Sequence, residues 1–499
     1  MSVIYKYLSR NIFLSLFAIL TVTLSCKKDG NPNLLPTTVP ESEYMGERGE
    51  GVIRILAIGN SFSEDALESH LYELAKADGK TVVIGNMYIG GASLEDHAKN
   101  VTSNASVYSY RKIGPEGTKK TYPNISVATA VADEQWDYIS FQQVSQNSGQ
   151  FNTYETSLPV VYNYVKEKAK NPEVKYVLHQ TWAYASNSTH SGFANYNNNQ
   201  TTMYNAIVDA YNRAKPLINA SLLVPAGTAI QNARTSVVGD NFTRDGYHLS
   251  IPMGRYTAAA TWYETIFGKS VVGNSYKPAE LSAFEASIAQ NAAHYAVLKP
   301  NEVTPMLTFQ GDGSFTGHIN INLGTAAAPT GWNGLTGFTV GSSVSLKNNT
   351  NNYTGISATV TERFNGQNTD GATTTNTELQ MPSEVSRSSY FGNSKAAFSG
   401  LTIVQSAIKL SGLDKNQKYN FGYFGSRMNV SDNRETKFIT KGANEVVVRL
   451  NTSNNSSNVV WANAVQPNTA GEITITVTSG EGNTNGTGFY YLSAIRITK

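Results

Sequence analysis

Val52-Ile53-Arg54-Ile55-Leu56-Ala57-Ile58-Gly59-Asn60-Ser61 is the stretch that decides the fold. Residues 52–58 are a nearly unbroken apolar run ended by Gly59, which is how a strand buried on both faces reads. Leu67, Leu71, Leu74 and Ala75 follow at helical spacing, and Asp78-Gly79 closes that segment. The alternation then repeats. Val82-Val83-Ile84, Tyr138-Ile139-Ser140-Phe141, residues 174–178 and Leu222-Leu223-Val224 read as further strands. Helices are predicted around residues 160–169, through Met203, Ile207, Val208 and Tyr211, and from Met253 to Phe267. Strands alternating with helices make a parallel sheet covered on both faces. Ligands of such sheets sit beyond the carboxyl ends of the strands, which is where Gly59-Asn60-Ser61 falls.

Beyond about residue 302 the period changes. Ile319, Ile321 and Leu323 alternate, as do Tyr419, Phe421 and Tyr423, then Ile473, Ile475 and Val477, then Tyr491, Ser493, Ile495 and Ile497. Turn-rich stretches of Asn, Gly, Ser and Thr separate them. This pattern predicts an all-β sandwich or jelly roll over residues 303–499, after an α/β domain over 51–302. No internal repeat shows.

Upstream, Lys6 and Arg10 precede an apolar stretch, Ile12 to Leu24, that is short and broken by Ser and Thr. Cys26 is the single cysteine of the chain, so it forms no internal disulfide and no zinc site. Thr23-Leu24-Ser25-Cys26 resembles a bacterial lipobox, with Thr23 where Leu is usual. That resemblance implies a signal peptide over residues 1–25 and lipidation at Cys26. Residues 26–50 then read as a tether, and the location as the bacterial cell envelope, with the lipid holding the chain on a membrane.

The chain has 499 residues, enough for two or three domains, and a net charge of +2 that offers no electrostatic case for a nucleic-acid partner. The 7 histidines include no ligand-spaced pair, and Gly90-Gly91 lacks the Lys-Ser/Thr of a phosphate loop. Neither metal nor other cofactor is expected.

A hydrolase acting through serine needs a nucleophile, a base, an orienting acid and an oxyanion hole. Ser61 stands between the first strand and the first helix, where its hydroxyl is exposed to a ligand. It also reads as a helix N-cap, with Glu64 completing a capping box. Asp245-Gly246-Tyr247-His248 lies between the fifth strand and the last helix, at the same sheet edge. There the imidazole would take the Ser61 proton while the carboxylate fixes its tautomer.

These two blocks resemble those of the SGNH (GDSL-like) serine hydrolases. Gly59-Asn60-Ser61-Phe62 stands for the family's Gly-Asp-Ser-Leu, and Asp245-x-x-His248 for its Asp-x-x-His. The resemblance covers residues 51–270 and implies a flavodoxin-like domain with Ser61, Asp245 and His248 as the catalytic triad. It further implies an oxyanion hole from the N–H groups of Ser61 and Gly91, the latter in Ile89-Gly90-Gly91-Ala92-Ser93. The family's Gly-x-Asn is absent. Gln142-Gln143-Val144-Ser145-Gln146-Asn147 stands in its place, as in a Bacteroidetes branch of GDSL-like proteins. Gln142 or Gln143 is the implied donor by that branch's pattern, and Gln146 by position. His179-Gln180-Thr181-Trp182 ends the fourth strand, and Trp182 reads equally as pocket wall or packing. With Gly331-Trp332-Asn333-Gly334-Leu335, Leu410-Ser411-Gly412-Leu413 and Gly425-Ser426-Arg427, the C-terminal half resembles accessory β-sandwich domains of secreted carbohydrate-active enzymes; Trp332 or Trp461 would stack on a sugar face if exposed, while a lone Trp in a sandwich is more often core. The reading is therefore a short-acyl esterase acting on a carbohydrate ester. Its rival is a non-catalytic glycan-binding lipoprotein.

Overall fold

The computed structural model describes residues 51–324 and 328–499. Cys26, the signal segment and the 26–50 tether lie outside the described residues. Among those described, no helix is long and apolar enough to cross a membrane.

The α/β domain follows the alternation. Its strands are β1 (Val52–Gly59), β2 (Thr81–Tyr88), β3 (Tyr108–Ile113), β4 (Lys119–Ile125), β5 (Tyr138–Phe141), β6 (Lys175–His179) and β7 (Leu222–Val224). Its α-helices are α1 (Ser61–Leu67), α2 (Leu71–Ala77), α3 (Leu94–Thr102), α4 (Val127–Asp133), α5 (Asn152–Glu155), α6 (Ser157–Lys168), α7 (Gln200–Ala214), α8 (Ala226–Arg234), α9 (Met253–Phe267) and α10 (Ala283–Leu298). The strands form one sheet in the order β4-β3-β2-β1-β5-β6-β7. From β2 to β7 every pairing is parallel. Counted among the parallel strands alone, the order is 2-1-3-4-5, the flavodoxin-like arrangement whose chain reversal lies beside β1. The carboxyl end of β1 carries Ser61.

Besides the short helices α3, α4, α5 and α8, two larger features were not in the sequence reading. The first is the hairpin β3–β4, which pairs antiparallel with β2 and extends the sheet. Its cations meet acids from distant segments: Lys112 Nζ lies 2.6 Å from both Asp133 and Glu134, and Arg111 lies 3.1 Å from Glu64. The second is α10, which packs against α8 and α9 and whose Ala289, Ala292 and Ala293 are fully buried. Arg54 in the central strand is only 3% exposed. Its Nε donates to Glu134 at 3.2 Å and its N–H to Asp137 at 2.8 Å, so the buried cation is paired.

The C-terminal domain is a β-sandwich. One sheet runs, in spatial order, Ser343–Lys347, Tyr353–Glu362, Gln405–Ser411, Ile473–Ser479, Glu435–Lys441 and Glu445–Asn451. The facing sheet runs Val460–Val465, Tyr419–Phe424, Ala494–Thr498, Ile319–Leu323 and Asn333–Leu335. Alternate residues of both meet in one core. Tyr423 of the second sheet stacks on Phe438 of the first with ring centroids 4.6 Å apart. A smaller sheet with Ser389–Phe398 at its centre lies beside them. Trp332 and Trp461 are partly buried against Leu379, Met381, Val385, Phe424 and Ala494.

The connector after α10 still belongs to the first core. Met306 is buried in it, Met306 N–H donates to Thr235 Oγ1 at 2.8 Å, and Val237 N–H donates to Phe309 O at 2.8 Å. The change of packing thus comes several residues after the change of period. Lys347 of the sandwich reaches Glu285 of α10 at 3.0 Å.

Candidate active site

The turn from β1 into α1 places Ser61. Asn60 has extended backbone angles and its Oδ1 accepts the Phe62 N–H at 3.0 Å, so Asn60 is the N-cap. Ser61 is the first helical residue. The capping-box reading of Ser61 and Glu64 is therefore corrected: the cap lies one residue earlier, and Glu64 faces Arg111. Freed from capping, the Ser61 hydroxyl lies 2.9 Å from His248 Nε2.

His248 sits on a closed loop. Thr243 and Leu249 pair as an isolated antiparallel bridge, and Arg244 N–H donates to His248 O at 2.9 Å. Within that ring, Asp245 Oδ1 accepts the N–H groups of Tyr247 at 3.1 Å and His248 at 2.7 Å. Its Oδ2 lies 2.6 Å from His248 Nδ1. A carboxylate only accepts, so Nδ1 carries the proton and Nε2 is left bare toward Ser61. Burial pushes the Asp245 carboxyl up, but hydrogen bonds from the His248 side chain and from two backbone N–H groups outweigh it. The net result lies below the usual carboxylate range. Gly246 has φ of +90°, and a Cβ there would come within 3.0 Å of the Ser188 backbone, so only glycine fits the bend.

Trp182 holds this loop from beneath. It is fully buried, its Nε1–H donates to Tyr247 O at 2.7 Å, and its ring stacks on Phe62 at 4.3 Å. Of the two readings of Trp182, the structure shows packing, with an anchoring hydrogen bond added.

Comparison with known proteins places the domain. The profile described as "Domain of unknown function (DUF4886)" matches residues 54–296. A crystal structure of a DUF4886 family protein from Bacteroides uniformis is 48% identical over 52% of this chain and 99% of that chain, with a TM-score of 0.51. This chain belongs to the DUF4886 family. Two further solved structures match at much lower identity. A carbohydrate esterase family 3 protein from Talaromyces cellulolyticus is 11% identical over 43% of this chain and 97% of that chain, with a TM-score of 0.29. An acetyl xylan esterase variant from Geobacillus stearothermophilus is 12% identical over 46% and 97%, also at 0.29. No curated protein matches the chain.

In this DUF4886 domain the glutamines do not take the role the resemblance implied. Gln142 and Gln143 are 2% and 1% exposed. Gln142 Nε2 donates to Asn60 Oδ1 at 2.8 Å, and its Oε1 lies 2.8 Å from His179 Nδ1. Burial holds the His179 pKa down to about 3, so the ring is neutral and Nδ1 donates to the amide oxygen. Gln143 Oε1 accepts the N–H groups of Leu94 at 2.9 Å and Val144 at 2.8 Å, while Nε2 donates to Thr153 Oγ1 at 2.9 Å. The implied oxyanion donors are thus corrected to structural amides. β5 ends at Phe141, and the two side chains that follow turn inward, one toward β1 and β6, the other toward α3. Gln146 accepts at its backbone oxygen from Tyr196 Oη at 3.0 Å.

Asn60, which stands for the family's Asp, has two structural roles. Besides capping α1, its Nδ2 donates to Ala92 O at 2.9 Å, which ties the nucleophile turn to the Gly91 turn. Gly91 has φ of +69°, and no acceptor among the described residues takes its N–H. Tyr247, whose ring centroid is 4.2 Å from that of His248, and His190, 4.8 Å from Tyr247, complete the surroundings. Burial and then the neighbouring His248 lower the His190 pKa. Nothing in the spacing of residues 190 and 248 signals their proximity.

Proposed function

We propose that the protein is a serine ester hydrolase that removes acetyl or another short acyl group from a carbohydrate. One observation carries the hydrolase part: Asp245, His248 and Ser61 are hydrogen-bonded in sequence, at 2.6 and 2.9 Å, on the carboxyl edge of the sheet. Ser61 Oγ attacks the ester carbonyl as His248 Nε2 takes its proton. The backbone N–H groups of Ser61 and Gly91 are the proposed donors to the oxyanion. The tetrahedral species collapses with His248 returning the proton to the leaving alcohol. Water then repeats the sequence on the acyl-enzyme, with His248 again as base.

The carbohydrate part is supported by the accessory β-sandwich and by the envelope location that Cys26 implies. Lipidation at Cys26 would keep the site on a membrane surface, and Cys26→Ser should then move the protein to the soluble fraction. The deciding experiment is hydrolysis of p-nitrophenyl acetate and of acetylated xylo-oligosaccharides by the full chain. Activity on the first alone would leave an esterase of another substrate class. Glycan binding without hydrolysis of either would favour a non-catalytic glycan-binding lipoprotein.

A further inference from the structure

Asp65 lies one helical turn beyond Ser61 on α1 and is 1% exposed, yet its carboxylate faces the loop that carries the base. Its Oδ2 accepts the Leu249 N–H at 2.8 Å. Arg244 Nη1 lies 3.1 Å from both of its oxygens and also donates to Leu249 O. Arg255 of α9 closes the set from the other side, with Nε at 2.8 Å and Nη2 at 2.6 Å from Oδ1. Arg244 immediately precedes Asp245, and Leu249 immediately follows His248. One buried carboxylate therefore grips both ends of the catalytic segment.

The cost of burying a lone carboxylate is large unless it is paired and hydrogen-bonded, and here three partners supply that. The internal bonds of the loop, from Asp245 to His248, need no help from Asp65. What the loop cannot set by itself is its place relative to α1, and so the distance from His248 Nε2 to Ser61 Oγ. We propose that Asp65 is a positioning residue that fixes the base against the nucleophile through Arg244 and Leu249. The inference rests on the hydrolase reading above and deepens it.

The test uses the full chain and two readouts of the reacting atoms: kcat and KM on p-nitrophenyl acetate, and the rate at which a fluorophosphonate labels Ser61. A third readout is the low-field proton resonance of the His248–Asp245 hydrogen bond. Asp65→Asn should lower kcat and the labelling rate by about 10²-fold, the effect of a misplacement on the order of 1 Å. KM should stay within about threefold and the low-field resonance should persist, because the loop stays intact while its register on α1 loosens. Arg244→Gln, at the more exposed end of the clamp, should lower both rates roughly tenfold and serves if Asp65→Asn does not fold. Wild-type rates in a folded Asp65→Asn, or in Arg244→Gln when Asp65→Asn does not fold, would overturn the clamp. Loss of the low-field resonance would also overturn it, since Asp65 would then support the loop itself. A wild-type protein that neither cleaves the ester nor takes the label would instead overturn the hydrolase reading on which the clamp depends.

Discussion

Both domains bury polar side chains, but they point them at different targets. In the α/β domain Asn60, Asp65, Gln142 and Trp182 bond toward three loops at one edge of the sheet. In the sandwich, Asn365 bonds Asn393 at 2.6 Å, Ser406 bonds Tyr490 at 2.8 Å and Tyr423 bonds Thr440 at 2.6 Å. Those pairs tie strand to strand and sheet to sheet. A buried polar group costs free energy unless it is satisfied, so its partner shows what the fold is holding in place. The first domain holds a constellation of side chains, and the second holds its own layers.

The sharpest way to break that contrast is at Ser61, the proposed nucleophile. Ser61→Ala should lower kcat on an acetyl ester by roughly 10⁶-fold, the scale seen when a triad serine is lost, with the melting temperature unchanged. Retention of most activity would mean that the chemistry lies elsewhere. Asp245→Asn comes next. It leaves the loop's shape but removes the acceptor that sets the His248 tautomer, and a loss of about 10⁴-fold is expected from steady-state kinetics.

Acidification is a milder lever. Asp245 is held below the usual carboxylate range, so it stays ionised under mild acid. A general base accepts a proton only when unprotonated, so activity should fall as pH drops, by at most about tenfold per unit. His190 has its pKa lowered, by burial first and then by His248. A pH profile of kcat/KM with two ionisations on the acid side would bring His190 into the mechanism. Asp245 itself adds stability that is present above its unfolded pKa and is lost as pH falls through the depressed folded value.

The smallest effect should come from the sandwich. Phe438→Ala removes the stack on Tyr423 and should destabilise by about 3–5 kcal/mol, measured by denaturant unfolding. The rate on a small ester should stay at the wild-type value at any temperature where the variant is folded. A chain ending after Gly311, which keeps the connector at Met306, should behave likewise on the small ester. It should lose efficiency only on a polymer that the sandwich holds near the site. A matching loss on both substrates would show that the second domain completes the first.

Much of this was legible in the sequence because it rests on short-range patterns. The apolar run of β1, the strand–helix alternation and the Asp245-x-x-His248 spacing are local, and a strand's carboxyl end follows from its direction. The hairpin β3–β4 was not legible, because Arg111, Lys112 and Lys119 look like a solvated face until Glu64, Glu68, Asp133 and Glu134 are brought to them. Gln142 and Gln143 show the same limit at the site. An amide reads as a donor to a ligand or to the fold with equal ease, and only its partners separate the two. Asp65 gave a faint signal, four residues after Ser61 and on one helix face with it. Its meaning came from Arg244 and Leu249, roughly 180 positions away. The sequence by itself determined the strand–helix alternation and set Ser61, Asp245 and His248 at one sheet edge, since local period and strand direction suffice for that. The tertiary structure alone decided which residues aim them, since a buried hydrogen bond depends on distances that chain spacing does not encode.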